Sequence, residues 1–276
     1  MISVVIVCLI ITLYLLASCR TKRVVRKETE AIRSTVSCDS SFLAVEKRVE
    51  QLPLPVQKWL RTSGVFDRGT IVAAHIMQDA RMRMKPEDTV WRTARAEQFS
   101  TLETPVFIWT VNMKMNPLIH VFGRDKFVHG KGEMRMKINS LFTVVNESGK
   151  KIDEGSMQRF LGEMVWIPTL ALCPYIQWEA IDEYSAKAHM SYMGTHGSGT
   201  FYFNTQGDFV RFEALRYKGN EADAQRYVWV LTVDEYSSFE GVRVPSRMKA
   251  TWKLPEGDWT WLDLRITDIQ YEVCGE

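Results

Sequence analysis

The chain has 276 residues, 46% hydrophobic and 25% charged, with 35 Lys and Arg against 33 Asp and Glu. That is ordinary globular composition, long enough for one large domain or two small ones. Five of the basic residues, Arg20, Lys22, Arg23, Arg26 and Lys27, stand together near the start, and without them 30 basic residues face 33 acidic ones. The body is then slightly acidic, which excludes the basic face that nucleic acid requires.

The chain opens on MISVVIVCLIITLYLLASC, with no charged side chain from Met1 to Cys19. As a helix these residues extend roughly 28 Å, close to the hydrocarbon thickness of a bilayer. Residues 1–19 are therefore expected to be a transmembrane anchor and residues 20–40 a basic juxtamembrane tether that meets anionic headgroups. The basic cluster directly after the apolar run favours a single-pass cell-membrane protein with its domain in the cytoplasm. The alternative is a lipoprotein anchored through Cys19, because Leu16-Ala17-Ser18-Cys19 forms a small-residue box ending in Cys. A cleaved signal fits less well, since Met-Ile-Ser supplies no basic start. Cys8 and Cys19 belong to the anchor. Cys38, Cys173 and Cys274 have no CxxC spacing, so reduced thiols are expected rather than a disulfide framework or zinc site.

Residues 41–276 read as one β-rich domain that begins with a helical hairpin. Phe42 to Gln51 forms the first short helix, and Pro53 and Pro55 interrupt the chain before a second. Val56, Trp59 and Leu60 share one face of that second helix, and Gly64 caps its end. From residue 70 the apolar period becomes 2. Ala80, Met82 and Met84 alternate with charged residues, as do Trp109, Val111, Met113 and Met115, and then Met134, Met136 and Ile138. The same pattern returns at Ala186, Ala188, Met190 and Tyr192, at Val210, Phe212 and Ala214, at Met248, Ala250 and Trp252, and at Leu262, Leu264 and Ile266. These are half-buried antiparallel strands with one solvated face. Turn residues separate them, as at Lys85-Pro86-Glu87-Asp88 and Asn204-Thr205-Gln206-Gly207. Seven or more such strands make a large curved sheet or half-barrel. One segment is helical instead: Met157, Phe160, Leu161 and Met164 fall at i, i+3, i+4 and i+7, and Pro168 ends the run. This helix is expected against the concave side of the sheet. The fold class is mainly β (α+β), preceded by the N-terminal transmembrane helix.

Eight of the 13 Met residues lie on the apolar strand faces, often beside Ala. Both are weak strand formers, and Met is pliable and fills irregular space. Met and Ala beneath a helix predict an apolar cavity; the alternative is plain core. The residues expected to meet a ligand are Trp109, Met113, Met136, Trp166 and Trp178, with Glu163 at the rim. Glu163 falls off the apolar helical stripe, which makes it solvated, salt-bridged, or a partner for a ligand headgroup.

No motif points to catalysis, a metal or a cofactor. The five His residues, at 75, 120, 129, 189 and 196, show no ligand spacing. Thr195-His196-Gly197-Ser198-Gly199-Thr200 lacks the nucleophile-elbow spacing and reads as a hairpin turn. His129-Gly130-Lys131-Gly132-Glu133 lacks the phosphate-loop spacing. Asp153-Glu154, Asp182-Glu183 and Asp234-Glu235 are adjacent acids; on a strand such neighbours point to opposite faces and cannot flank one bond.

LPLPVQKWLRTSG, QRFLGEMVWIPTLAL, IQWEAIDEYSAKAHM, GTFYFNTQGDFVRFEALRY and WKLPEGDWTWLDLRITDIQYE occur here in that order. Together they resemble the motifs of a bacterial family of unknown function whose members look like membrane-anchored β-rich proteins. The resemblance covers residues 50–272 and carries no known chemistry. The layout is also similar to lipoprotein-carrier (LolA-like) half-barrels, which hold acyl chains, although an anchored chain departs from a soluble carrier. The resulting expectation is a membrane-anchored domain that binds a lipid or other apolar ligand between sheet and helix, with no nucleic acid partner. The alternative is a protein-interaction or scaffold domain without a ligand; an enzyme ranks third, its site assembled from distant residues.

Overall fold

The structure, a computed structural model, describes residues 2–37 and 48–274, with side chains described from residue 12 onward. Thirteen antiparallel strands form one sheet. The first six are β1 (Ile71–Met82), β2 (Arg92–Thr101), β3 (Val106–Lys114), β4 (His120–Val128), β5 (Lys131–Ile138) and β6 (Phe142–Ser148). The other seven are β7 (Ile176–Asp182), β8 (Ser185–Tyr192), β9 (Thr195–Phe203), β10 (Phe209–Tyr217), β11 (Arg226–Phe239), β12 (Val242–Leu254) and β13 (Gly257–Val273). Each group is a meander, and β1 pairs with β13 at the centre, so the order runs from β6 through β1 and β13 to β7. The domain's first and last strands are thus zipped together, with Ile76 opposite Ile269 and Ala80 opposite Leu264.

The helices are α1 (Ile2–Arg33), α2 (Leu54–Thr62) and α3 (Lys150–Glu163). In α2, Pro55 stands in the first turn, and Val56, Trp59 and Leu60 are buried. Gly64 follows with a φ of 68°, the left-handed conformation a helix C-terminus favours. The expected first helix of the hairpin, Phe42 to Gln51, lies mostly outside the described residues. α3 connects the two edge strands, β6 and β7, and fills the concave side, where Met157, Phe160, Leu161 and Met164 are all buried. The sheet ends approach one another around it: Thr195 Oγ1 donates to the Gly130 carbonyl at 2.7 Å, and Asn220 Nδ2 to that of Ser148 at 3.2 Å. The result is a curled half-barrel plugged by one helix.

Several expectations need correction. Residues 195–200 lie in β9, and the turn before it is at Met193-Gly194. Glycine at 199 reflects close packing: a Cβ there would stand 2.2 Å from the Phe212 ring. Val210 faces outward, because the ladder between β9 and β10 slips between Phe209 and Arg211 and buries Phe209 instead. The stretch read as a tether is helical as far as Arg33, and Val25, Ile32 and Val36 dock on Ala73, Phe99 and Ile108 of the convex face. Glu28 fixes this docking through Arg124 at 2.8 Å and Lys126 at 3.1 Å, as does Arg33 through Glu272 at 2.8 Å.

Among the described residues no helix is long and apolar enough to cross a membrane. The apolar run expected to be the anchor falls largely on residues 1–11, whose side chains lie outside the described set. The thiols also differ from expectation. Cys19 and Cys173 are free, whereas Cys274 is disulfide-bonded. Cys38 lies outside the described residues. The pairing was invisible to a search for close Cys spacing, since a disulfide joins residues near in space rather than in sequence.

Candidate functional site

Between the concave sheet and α3 lies a cavity of about 460 Å³. Its buried wall includes Trp109, Trp166, Trp229, Met82 and Met248, and its more exposed rim includes Met134, Met136, Val145, Trp252 and Trp261. The helix contributes Ile152, Gly155, Ser156, Arg159 and Glu163. Their spacing of i, i+3, i+4, i+7 and i+11 defines one helical face, distinct from the Met157/Phe160/Leu161/Met164 stripe. α3 is therefore used on two sides. Its large apolar side chains seal the core, while a face of Ile152 with small and charged residues looks into the cavity.

The charges on that face are organised by Arg159. Its Nε donates to Glu163 at 2.7 Å, Nη1 to Asp125 at 2.9 Å, and Nη2 to the Gln98 side-chain oxygen at 3.2 Å. Its guanidinium lies over Phe107 and Trp109, 4.8 and 4.7 Å from the ring centroids. Gln98 Nε2 completes the group by donating to Glu163 at 3.0 Å. Burial raises the Asp125 carboxyl above its ordinary pKa despite the nearby Arg159. A network this well connected rigidifies the floor of the cavity. Trp109 is fixed there too, its Nε1 donating to Gln78 Oε1 at 2.8 Å.

A second guanidinium, Arg216 on β10, lies over Trp229 at 4.2 Å and Trp252 at 5.7 Å. Burial lowers it to about 10, so it stays charged at neutral pH. It also lies against α3, where a Cβ at Gly155 would stand 3.1 Å from Nη2. Mid-helix glycine costs roughly 0.5–1 kcal/mol relative to alanine, and the space it leaves is occupied by this guanidinium.

Of the residues singled out in the sequence, Trp109, Met136, Glu163 and Trp166 line the cavity. Glu163 is salt-bridged, and it faces inward rather than into solvent. Met113 is 2% exposed and packs in the main core. Trp178 stands apart from the cavity on β7, donating to the Ala171 carbonyl at 2.9 Å and packing on Phe201. Sequence reasoning missed Gln78, Asp125, Arg159 and Arg216. Two of them carried a readable signal: Gln78 interrupts the apolar series Ile76, Ala80, Met82, and Arg216 continues the inward series Phe212, Ala214.

Among the described residues no group of His, Cys, Asp and Glu has the arrangement of a metal site. The His residues are dispersed: His189 meets Glu179 at 3.2 Å, His196 meets Ser191 at 2.8 Å, and His129 sits in a turn. Asp153 is buried and accepts from the Gly132 amide at 2.8 Å and from Lys131 at 3.0 Å. The glycine-rich run at 129–133 is thus a hairpin tied to the start of α3.

A crystal structure of a LolA superfamily protein from Nitrosomonas europaea is similar to the chain at 9% identity, with a TM-score of 0.41, covering 79% of this chain and 93% of that one. A β-barrel-like protein of a domain of unknown function, DUF1849, from Brucella abortus is similar at 8% identity, with a TM-score of 0.31, covering 74% of this chain and 99% of that one. No curated protein matches the sequence. A family model does match, over residues 43–264, nearly the whole β-rich body whose motifs carried the resemblance. The chain belongs to that family, DUF6544, a family of unknown function.

Proposed function

We propose that this is a membrane-attached domain that holds a hydrophobic ligand, a lipid or a molecule with a lipid-like chain, in the cavity between sheet and α3. The observation that carries the reading is the cavity itself. Five Trp and four Met residues line a volume of about 460 Å³, within the roughly 300–1,000 Å³ typical of small-molecule sites. Aromatic rings and thioethers offer large, polarizable apolar area, and Met adapts to chains of different length. The mechanism is burial of the chain against these side chains, with polar groups at the rim left for its head.

Attachment to a membrane is supported by the uncharged opening run and by the end of the domain next to it. Leu118 in the β3–β4 turn, Leu141 in the β5–β6 turn, and Phe142 and Val144 on β6 are large, apolar and exposed. Leu13, Leu16 and Arg20 of α1 line one depression with Leu141, Arg135 and Lys137. Apolar tips among basic side chains suit an anionic bilayer surface. Val145, next to Phe142 and Val144 on β6, belongs to the cavity rim.

The test is to purify the full chain and identify co-purified small molecules by native mass spectrometry and organic extraction. A discrete lipid at near-stoichiometric amount is expected, and Ala250→Trp, which fills the cavity, is expected to remove it. A clean ligand-free mass that persists after incubation with membrane lipids refutes the reading and leaves a scaffold or interaction domain.

A further inference from the structure

The carboxylates that line the cavity are already engaged. Arg159 holds Asp125 and Glu163. Arg124 and Lys126 hold Glu133. Asn220 donates to Glu147 from its side chain at 2.6 Å and to Glu221 from its backbone at 3.0 Å. The lining cations are engaged as well, with one exception. Lys249 pairs with Asp234 at 2.7 Å, and Lys151 donates to the backbone carbonyls of Glu221 and Ala222. Arg216 is the exception: among the described residues it has no hydrogen-bond or ion-pair partner, and its Nε is fully buried without one. Glu154, the remaining acid close enough to act on it electrostatically, is held by Arg226 at 2.6 Å.

A guanidinium presents five donors and no acceptor. Leaving buried donors open is costly, so each such group in a native structure calls for an explanation. Arg216 does not stand alone. Gln78 Nε2, Trp229 Nε1 and Trp261 Nε1 line the same cavity and are also buried donors without partners. Four open donors against one open acceptor, Asp125 Oδ1, describe a pocket that awaits oxygen atoms. The apolar part of the lining around them is Trp, Met and Leu with Phe107, Val145, Ile152 and Ala250, and its other charges are the engaged ones named above.

We infer that Arg216 is the head-binding residue of this cavity, and that the ligand is a single-chain anionic amphiphile whose carboxylate or phosphate meets the Arg216 guanidinium while its chain lies along the Trp and Met wall. The inference rests on the hydrophobic-ligand reading above and adds the chemistry of the head. The planar fork of the guanidinium matches two oxygens of one carboxylate or phosphate. Gly155 allows the helix to pass close by, and the flanking Trp rings hold the guanidinium in place.

The test is calorimetric titration of the purified full chain with hexadecanoate, hexadecyl phosphate and hexadecanol, which share a chain and differ in the head. The wild-type chain is expected to bind at least one of the two anions about tenfold or more tightly than the alcohol. The tighter anion tells carboxylate from phosphate. Arg216→Gln is expected to abolish that preference, weakening the anion far more than hexadecanol, and Arg216→Lys to restore part of it. Equal binding of all three by the wild-type chain overturns the assignment of the head but leaves the hydrophobic site standing. An equal loss for all three in Arg216→Gln makes Arg216 a packing residue. Binding of none of them removes both readings. If Arg216→Gln does not fold, the wild-type preference and Arg216→Lys decide the matter.

Discussion

Replacing Arg159 with Met keeps the length of the side chain and its contact with Phe107 and Trp109, but removes the charge that two carboxylates share. Arg159, Asp125 and Glu163 expose 16%, 21% and 13% of their side chains, so solvent compensates only in part. Breaking a fully buried pair by removing one partner costs about 3–5 kcal/mol. The partial exposure and the Gln98 hydrogen bond to Glu163 place the expected loss at the lower end, about 3 kcal/mol at pH 7. The sign with pH follows from the Asp125 carboxyl, which burial raises even when Arg159 is present. Without Arg159 it rises further. A raised folded-state pKa favours the protonated form in the native protein, so the deficit relative to wild type is smallest where Asp125 is protonated in both chains and grows as pH climbs through its wild-type folded-state range, which lies above the ordinary carboxylate value near 4. Urea denaturation of the purified full-length chain, followed by tryptophan fluorescence at pH 7 and pH 4.5, reads both. Asp125→Asn added to Arg159→Met is expected to recover part of the pH 7 loss. An Arg159→Met chain as stable as wild type at pH 7, or a loss of equal size at both pH values, refutes the claim that Arg159 neutralises the cavity floor.

The other predictions concern packing, attachment and compartment. Gly199→Val places a side chain where the Phe212 ring stands, and is expected to cost about 2–3 kcal/mol in thermal or chemical unfolding; Phe212→Leu in the same chain is expected to recover part of it, and an additive loss argues against the contact. Leu141→Trp in the chain reconstituted into anionic vesicles is expected to add tryptophan fluorescence that brominated lipids quench, whereas unquenched added fluorescence places the β5–β6 turn in water. Thiol labelling of the unreduced, unfolded chain is expected to modify Cys19 and Cys173 but not Cys274. In the native chain Cys173 is expected to resist labelling, because burial pushes its thiol up to about 12. Disulfides persist in oxidising compartments, so a blocked Cys274 in freshly lysed cells argues for a domain on the outer side of the membrane. A free one agrees with the cytoplasmic orientation that the basic cluster favours.

The sheet was legible because one solvated face gives strict alternation, and because Met134, Met136 and Ile138 or Leu262, Leu264 and Ile266 carry that period without interruption. Strands were missed where another constraint broke it. β2 reads Arg-Thr-Ala-Arg-Ala-Glu-Gln-Phe-Ser-Thr, with small and polar residues on its inner side because Gln98 serves the Arg159 network. β9 carries Gly197 and Gly199 where Met157 and Phe212 need room, so packing resembled a turn signal. The docking of α1 was hidden by its basic residues, since Val25, Ile32 and Val36 form only a thin apolar stripe. Of the site, the Trp and Met residues could be read from alternation, but which of them face a cavity could not.

That distinction depends on the layer opposite each strand, a property no single strand carries. Met113 and Met190 meet dense packing and are core, whereas Met134 and Met136 on β5 look across at α3. There the helix shows Gly155 and Ser156, too short to reach them. Had residues 152, 155, 156, 159 and 163 been Leu or Phe, the same sheet would enclose an ordinary filled core. The cavity is therefore specified on α3, by the small and charged residues Gly155, Ser156, Arg159 and Glu163 beside an apolar stripe that anchors the helix. A chain that pays for a mid-helix glycine and an unpaired arginine at one point has a constraint there beyond folding. Filling Gly155 is the corresponding experiment. Gly155→Leu should raise helix propensity but drives a side chain into the Arg216 guanidinium, whose Nη2 would stand 3.1 Å from the new Cβ, so loss of any co-purified ligand with no gain in stability is the pairing expected; a more stable chain that keeps its ligand refutes the reading.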